Sequence, residues 1–143
     1  MTWTLDQVPQ QKGRLAVVTG ANIGLGFETA MALAAKNCDL VLACRNMEKA
    51  EAAKATIHAK YPKAKVTCMQ LDLSSLKSVR AFATAFAEKY SRLDLLINNA
   101  GIMMPPYSLS EDGFESQFAA NYIGHFALTG QLLPLIVKTP GAR

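Results

Sequence analysis

The chain contains no apolar run approaching the roughly 18 residues that a membrane-crossing helix needs. Its first stretch, Met1–Gln11, lacks the apolar centre of a secretory leader. Cysteine is scarce, and Cys38, Cys44 and Cys68 form no ligand-like cluster, so no metal site is expected. All three fall in or beside apolar runs. They read as buried reduced thiols, which points to the cytoplasm. No low-complexity linker divides the chain. Charge is thin as well: 18% of residues are charged, and 15 basic against 11 acidic residues leave a net +4. The densest basic group (Lys49, Lys54, Lys60, Lys63, Lys65) is interleaved with Glu48 and Glu51. That pattern describes a solvated helix face and excludes a nucleic-acid stripe as the main reading.

What is present is an ordinary globular composition, half hydrophobic over 143 residues, enough for one domain (1–143) with a real core. Short apolar runs alternate with helix-like segments. Leu15–Thr19, Asp39–Cys44, Val66–Leu71 and Leu93–Ile97 read as strands. Between them lie helix-like stretches: Gly24–Lys36, a second N-capped by Asn46 and stopped by Pro62, and a third capped by Ser74 or Ser75. The third repeats Leu76, Val79, Phe82, Ala83, Phe86 and Tyr90 at helical spacing. After Pro105-Pro106 a last helix is expected from about Glu111 to Val137. The strands are continuous apolar runs, as in a parallel sheet covered on both faces. Strand–helix alternation with right-handed crossovers predicts a Rossmann-type doubly wound α/β fold, its N-terminal half in strand order 3-2-1-4.

The run Thr19-Gly20-Ala21-Asn22-Ile23-Gly24-Leu25-Gly26 sits where the first strand passes into the first helix. Glycines permit a tight turn and close approach of a ligand. The free amides of the first helical turn, aided by the helix dipole, then suit a diphosphate. At the end of the second strand stand Cys44 and Arg45, where an NAD site usually has a carboxylate for the ribose 2′-hydroxyl. A guanidinium there can pair with a 2′-phosphate, which favours NADP over NAD.

With these elements in place the chain resembles the short-chain dehydrogenase/reductase family from about Lys12 onward. The glycine run matches that family's Thr-Gly-x-x-x-Gly-x-Gly, Asp72-Leu73 its adenine-contacting pair, and Asn98-Asn99-Ala100-Gly101 the signature after its fourth strand. Asn121 falls where the family keeps a catalytic-helix asparagine. The wording Ala43-Cys44-Arg45-Asn46 and Gly124-His125-Phe126 is similar to the retinol-dehydrogenase and protochlorophyllide-reductase-like branch. The cofactor set this resemblance implies is Gly20, Asn22, Ile23, Gly24, Leu25, Gly26, Arg45, Asn46, Asp72, Leu73, Asn99, Ala100 and Gly101, with Asn121 as the catalytic position.

Other readings stand beside these. Asp72 can accept from adenine, serve as an N-terminal helix charge, or both. Asn99 can bridge to the ribose or act as a turn asparagine before Gly101. Asn121 can help hold a water or be a buried asparagine bonding backbone. His125 reads as a core or interface histidine and His58 as solvent-facing. Phe114, Phe118, Tyr122, Phe126, Leu132 and Leu133 read as packing surface. Ile23 departs from the serine or basic residue common at its position, removing one phosphate contact while leaving the backbone amides.

The resemblance implies hydride transfer between NADP(H) and a small carbonyl or alcohol. The family's serine and Tyr-x-x-x-Lys follow the asparagine helix, and no such pair stands in that place before the sequence stops at Pro140-Gly141-Ala142-Arg143. The expectation is therefore a cofactor-binding half, inactive alone, with an exposed edge on its fourth strand. A full-length protein of this kind is a possible homo-oligomer. The alternatives are a stand-alone nucleotide-binding domain and a truncated product.

Overall fold

The four apolar runs form one sheet in the computed structural model, which describes residues 3–143; Met1 and Thr2, the start of the stretch read as lacking a leader, lie outside the described residues. Strands β1 (Leu15–Thr19), β2 (Asp39–Cys44), β3 (Val66–Gln70) and β4 (Leu95–Ile97) are all parallel, in the order β3-β2-β1-β4. Helices α1 (Gly24–Ala35), α2 (Met47–Lys60) and α3 (Leu76–Lys89) follow the first three strands. The fourth leads through a long loop to a short helical turn, α4 (Ser116–Phe118), a π-helical turn (Ala119–Ile123) and α5 (Gly124–Lys138). Among the described residues, no helix is long and apolar enough to cross a membrane.

Alternation along the strands sorts the core onto two faces. Leu15, Val17 and Val41 pack with Val79, Phe82 and Phe86 of α3 and Leu128 and Leu132 of α5. Ala16, Val18, Leu40 and Leu42 pack with Ala30, Ala34, Ala50, Ala53 and Ile57 of α1 and α2. Small residues let α1 and α2 lie close to the sheet, whereas Phe and Leu fill the space beneath α3 and α5. Asn46 and Ser75 cap α2 and α3, accepting from the Lys49 and Ser78 amides at 2.9 and 3.1 Å. Cys38 and Cys44 are buried and Cys68 half-buried, all free. Burial pushes all three thiols up, Cys38 and Cys68 to about 12.

The last helix does not begin at Glu111. Gly113 takes φ +82° and closes a turn in which the Ser110 amide donates to the Phe114 carbonyl at 2.7 Å. Leu109 and Glu115 bridge across it, and helix starts only at Ser116. There the Glu115 carboxylate accepts from the Gln117 and Phe118 amides at 2.9 and 2.8 Å, which holds its carboxyl below the usual range. The apolar set of this region also divides. Leu132 enters the core, while Phe114 and Leu133 are exposed and Phe118, Tyr122 and Phe126 stack as an exposed ladder, centroids 5.2 and 6.2 Å apart. His58 is half-buried, with its ring 3.0 Å from the Ala64 carbonyl, and so is not simply solvent-facing. β4 is shorter than the run Leu93–Ile97. Its outer edge is partly occupied, because Arg143 donates to Asp94 O at 2.9 Å and accepts from Leu96 N at 3.0 Å.

Asp94 anchors the entry of β1. The residue is 1% exposed, and its carboxylate accepts from the Leu15 amide at 2.9 Å and from Arg92 Nε at 2.8 Å, with Arg14 3.8 Å away. Burial alone would raise its carboxyl, but the Arg92 hydrogen bonds, the Leu15 amide and the two guanidinium charges together lower it. Asp94→Ala is expected to cost about 2–3 kcal/mol, less than a fully buried pair because Arg92 keeps half its side chain in water. A folded-state carboxyl held low stabilises the fold above the ordinary carboxylate range and loses that contribution as pH falls through its folded value. Urea unfolding at pH 7 checks the first expectation. A shallower acid loss of stability in Asp94→Asn than in the unaltered chain checks the second.

Candidate functional site

The carboxyl ends of β1, β2 and β4 open into a cleft of about 360 Å³. Nine of the residues singled out from the sequence line it: Gly20, Asn22, Ile23, Arg45, Asp72, Leu73, Asn99, Ala100 and Gly101. Ala43, Leu71, Ile102 and Ala120 complete the wall and were not anticipated. Gly24, Leu25, Gly26, Asn46 and Asn121 stand outside the lining. Gly26 and Asn121 act on it from behind, as described below.

The glycine turn is shaped by close approach. Gly20 has φ +65°, and a Cβ there would lie 2.9 Å from the Ala100 side chain. A Cβ on Gly26 would fall on the Asn99 amide nitrogen and lie 2.6 Å from the Gly20 carbonyl. Both positions exclude any side chain, which is why the turn can fold so tightly against β4. The first turn of α1 is left open. Its N-cap, Ile23, offers no side-chain acceptor, unlike the capped starts of α2 and α3, and no acidic residue stands in its first turn. Among the described residues no side chain caps this turn, and the positive end of a 12-residue helix begins directly after Ile23 of the cleft wall, an arrangement suited to an anion.

Arg45 lies exposed at the rim beyond β2 and, among the described residues, makes no ion pair. Asn46 beside it is engaged as the α2 cap. Asp72 Oδ1 accepts from the Ser74 amide and hydroxyl at 2.9 and 2.6 Å, so it orders the turn before α3 while also lining the cleft. Asn99 Nδ2 donates to the Thr19 carbonyl at 2.9 Å, tying the exits of β1 and β4 together. Asn121 lies in the π turn, an irregularity often found at functional positions. Its side chain bonds the Ile102 backbone both ways, accepting from N–H and donating to C=O at 2.8 Å each. It therefore bonds backbone, but from an exposed position and not the buried one expected with that reading.

The hydroxyl of Thr19 and its contact with His125, which is buried as the core reading has it, were not anticipated from the sequence. Thr19, inside the glycine signature, is fully buried and accepts from the Asn99 and Ala100 amides at 2.9 Å each. His125 is buried with Nε2 2.9 Å from the Thr19 hydroxyl, and burial lowers its affinity for a proton against the opposing Asn121 carbonyl. The sole signal in the sequence was their spacing in two motifs whose ends meet only in the fold. The one Tyr-x-x-x-Lys spacing, Tyr61 to Lys65, lies between α2 and β3 at the opposite end of the sheet and has no part in the cleft. Among the described residues, no group of His, Cys, Asp or Glu could hold a metal ion.

The geometry agrees with comparisons to known proteins. The family model for short chain dehydrogenase matches residues 14–143. Human retinol dehydrogenase 13 is 50% identical over 131 residues, which cover 92% of this chain and 40% of that protein. The chain thus spans about two-fifths of the length of such curated relatives. The crystal structure of an uncharacterized protein from Mycobacterium paratuberculosis superposes with TM-score 0.83 at 46% identity, covering 94% of this chain and 47% of that one. A short chain dehydrogenase from Escherichia coli CFT073, complexed with NADPH, superposes with TM-score 0.78 at 30% identity, covering 92% and 58%. A parallel 3-2-1-4 sheet, an open glycine turn at its carboxyl edge and a match over nearly the whole sequence agree: the chain belongs to the short-chain dehydrogenase family.

Proposed function

We propose that this chain supplies the NADP(H)-binding part of an oxidoreductase that moves hydride between nicotinamide and a carbonyl or alcohol. One observation carries the cofactor choice. The rim beyond β2 presents the exposed Arg45, without an ion pair among the described residues, next to Cys44, and the end of the strand carries no carboxylate to favour a free ribose 2′-hydroxyl. A neighbouring structure of the family, the Escherichia coli protein, is complexed with NADPH, which supports the same reading. The residues fit the group. The open amides of Gly24–Gly26 suit its diphosphate, Arg45 its 2′-phosphate, and Asp72 with Leu73 its adenine. Asn99 would face the ribose from the exit of β4. The bound nicotinamide would supply the hydride chemistry. The protein's part is to hold the dinucleotide against the ends of β1 and β4. The free thiols favour a reducing compartment such as the cytoplasm.

Three outcomes test this. The chain should bind NADPH more tightly than NADH in a fluorescence titration, and Arg45→Asp should weaken NADPH by about ten- to a hundredfold, the worth of a charge-assisted contact. Tighter NADH binding by the unaltered chain would contradict the assignment. Gly26→Ala, which forces a methyl onto Asn99, should lower NADPH affinity at least about tenfold while far-ultraviolet dichroism stays native-like. Finally, the 143-residue chain should bind NADPH yet fail to oxidise it with aldehydes, ketones or quinones, because its cleft contains no tyrosine acid. A positioned acid is worth about 10²–10⁴-fold. Protein-dependent turnover in that assay would refute the expectation.

A further inference from the structure

The Thr19 hydroxyl is completely buried among four polar groups. The Asn99 and Ala100 amides both donate to it at 2.9 Å. His125 Nε2 lies 2.9 Å away and the Ile97 carbonyl 3.4 Å. A hydroxyl has one proton to give and two lone pairs to receive with. The two amides fill both lone pairs, so the remaining close neighbour must be an acceptor. The hydroxyl proton points to His125 Nε2, and Ile97 is left with a weak, long contact. The ring proton is then on Nδ1, where it donates to the Asn121 carbonyl at 3.2 Å. The opposite tautomer would set three donors on one oxygen and leave Nδ1 facing a carbonyl without a proton.

We propose that His125 is a positioning residue for the cofactor site: in its neutral Nδ1–H form it accepts the Thr19 proton and keeps both lone pairs of that oxygen on the Asn99 and Ala100 amides. The cofactor role rests on the dinucleotide reading above. Asn99 and Ala100 line the cleft, and Ala100 abuts Gly20, so the turn they form sets the distance between the glycine loop and the exit of β4. Protonating His125 places N–H on both ring nitrogens. Nε2–H then needs a lone pair already in use, and one amide loses its acceptor in a buried setting.

The charged groups on the surrounding elements do not offset this. β1 and residues 95–101 bring none. Asp72 is held by Ser74, Lys77 and Arg80 on α3 are exposed, and Lys138 lies at the far end of α5. Glu115, before α4, is engaged with the Gln117 and Phe118 amides, and Glu111 and Asp112 reach the Ser75 hydroxyl and Leu76 amide at the start of α3.

The test uses the full 143-residue chain labelled with nitrogen-15. Long-range imidazole spectra should show the Nδ1–H tautomer of His125; the Nε2–H tautomer would overturn the proposal. As pH falls, the Asn99 and Ala100 amide signals should shift with the His125 midpoint, below the ordinary 6.5. In His125→Gln, whose side-chain carbonyl replaces the Nε2 acceptor without titrating, those signals should stay fixed over the same range. Amides that remain still while His125 titrates would overturn it. With NADPH as probe at pH 7, His125→Leu should bind about two- to tenfold more weakly, and His125→Gln like the unaltered chain. Equal loss in both variants, or none in His125→Leu, counts against the role. If the unaltered chain fails to bind NADPH at any pH while the tautomer and coupled amide shifts appear, the dinucleotide reading fails and the Thr19 clamp stands.

Discussion

The close approach of β1 and β4 at their exits is the constraint on which the rest of the site depends. β4 pairs with β1 over only three residues, too short a ladder to define the geometry by itself. Side chains fasten the pair at both ends. At the entry, Asp94 takes the Leu15 amide and gathers Arg92 and Arg14. At the exit, Asn99 bonds the Thr19 carbonyl while the Thr19 hydroxyl takes the amides of Asn99 and Ala100. The glycine turn can close only because Gly20 and Gly26 leave room for Ala100 and Asn99. The cleft, the direction of α1 and the start of the loop after β4 all follow from that closure.

The distribution of helix caps carries a related argument. Asn46 and Ser75 satisfy the first turns of α2 and α3 with their own side chains. α1 begins at the same end of the same sheet without that help, on an exposed isoleucine. An uncapped first turn is a liability of about 1 kcal/mol in an ordinary helix. Here the missing acceptor is the kind that a phosphate oxygen supplies. The difference between these helices is local chemistry, not fold. It separates the helix start that is left open from the two, at the same end of the sheet, that are closed.

Much of this was legible in the sequence. The strands are unbroken apolar runs, and their order follows from handed crossovers, so the 3-2-1-4 sheet could be read without coordinates. The glycine turn, Arg45, Asp72 and Asn99 were legible because each sits at a strand end, where position alone brings residues to the cleft. The start of the last helix was not legible. Glu111 and Glu115 are good helix formers, and it is Gly113 at positive φ that diverts the chain into a turn. Nor was the role of His125, which depends on a hydroxyl 106 residues away and on counting lone pairs. Nor was it legible which of the apolar positions read as packing surface would enter the core of this chain. Helical spacing puts Phe118, Tyr122 and Phe126 on one face, but only packing decides that this face points outward while Leu128 and Leu132 point in.

The segment between β4 and α5 shows how a wall of the cleft is held without regular structure. Met103 and Met104 project into solvent, and Met104 adopts φ +52°, a conformation that costs energy for a residue with a side chain. Such strain persists only where neighbours enforce it. Gln117 accepts the Met104 amide at 2.7 Å, and Asn121 grips both backbone groups of Ile102. Both grips come from the short helical and π turns that precede α5, and the carbonyl of Asn121 is in turn taken by His125. The loop is therefore tied to the helix, the helix through His125 to Thr19, and Thr19 to the turn after β4. These hydrogen bonds, closed by the backbone from Ala100 to Ile102, form a loop behind this wall of the cleft. Asn121 is connected to the cleft wall through Ile102 in this way, although it does not line the cleft.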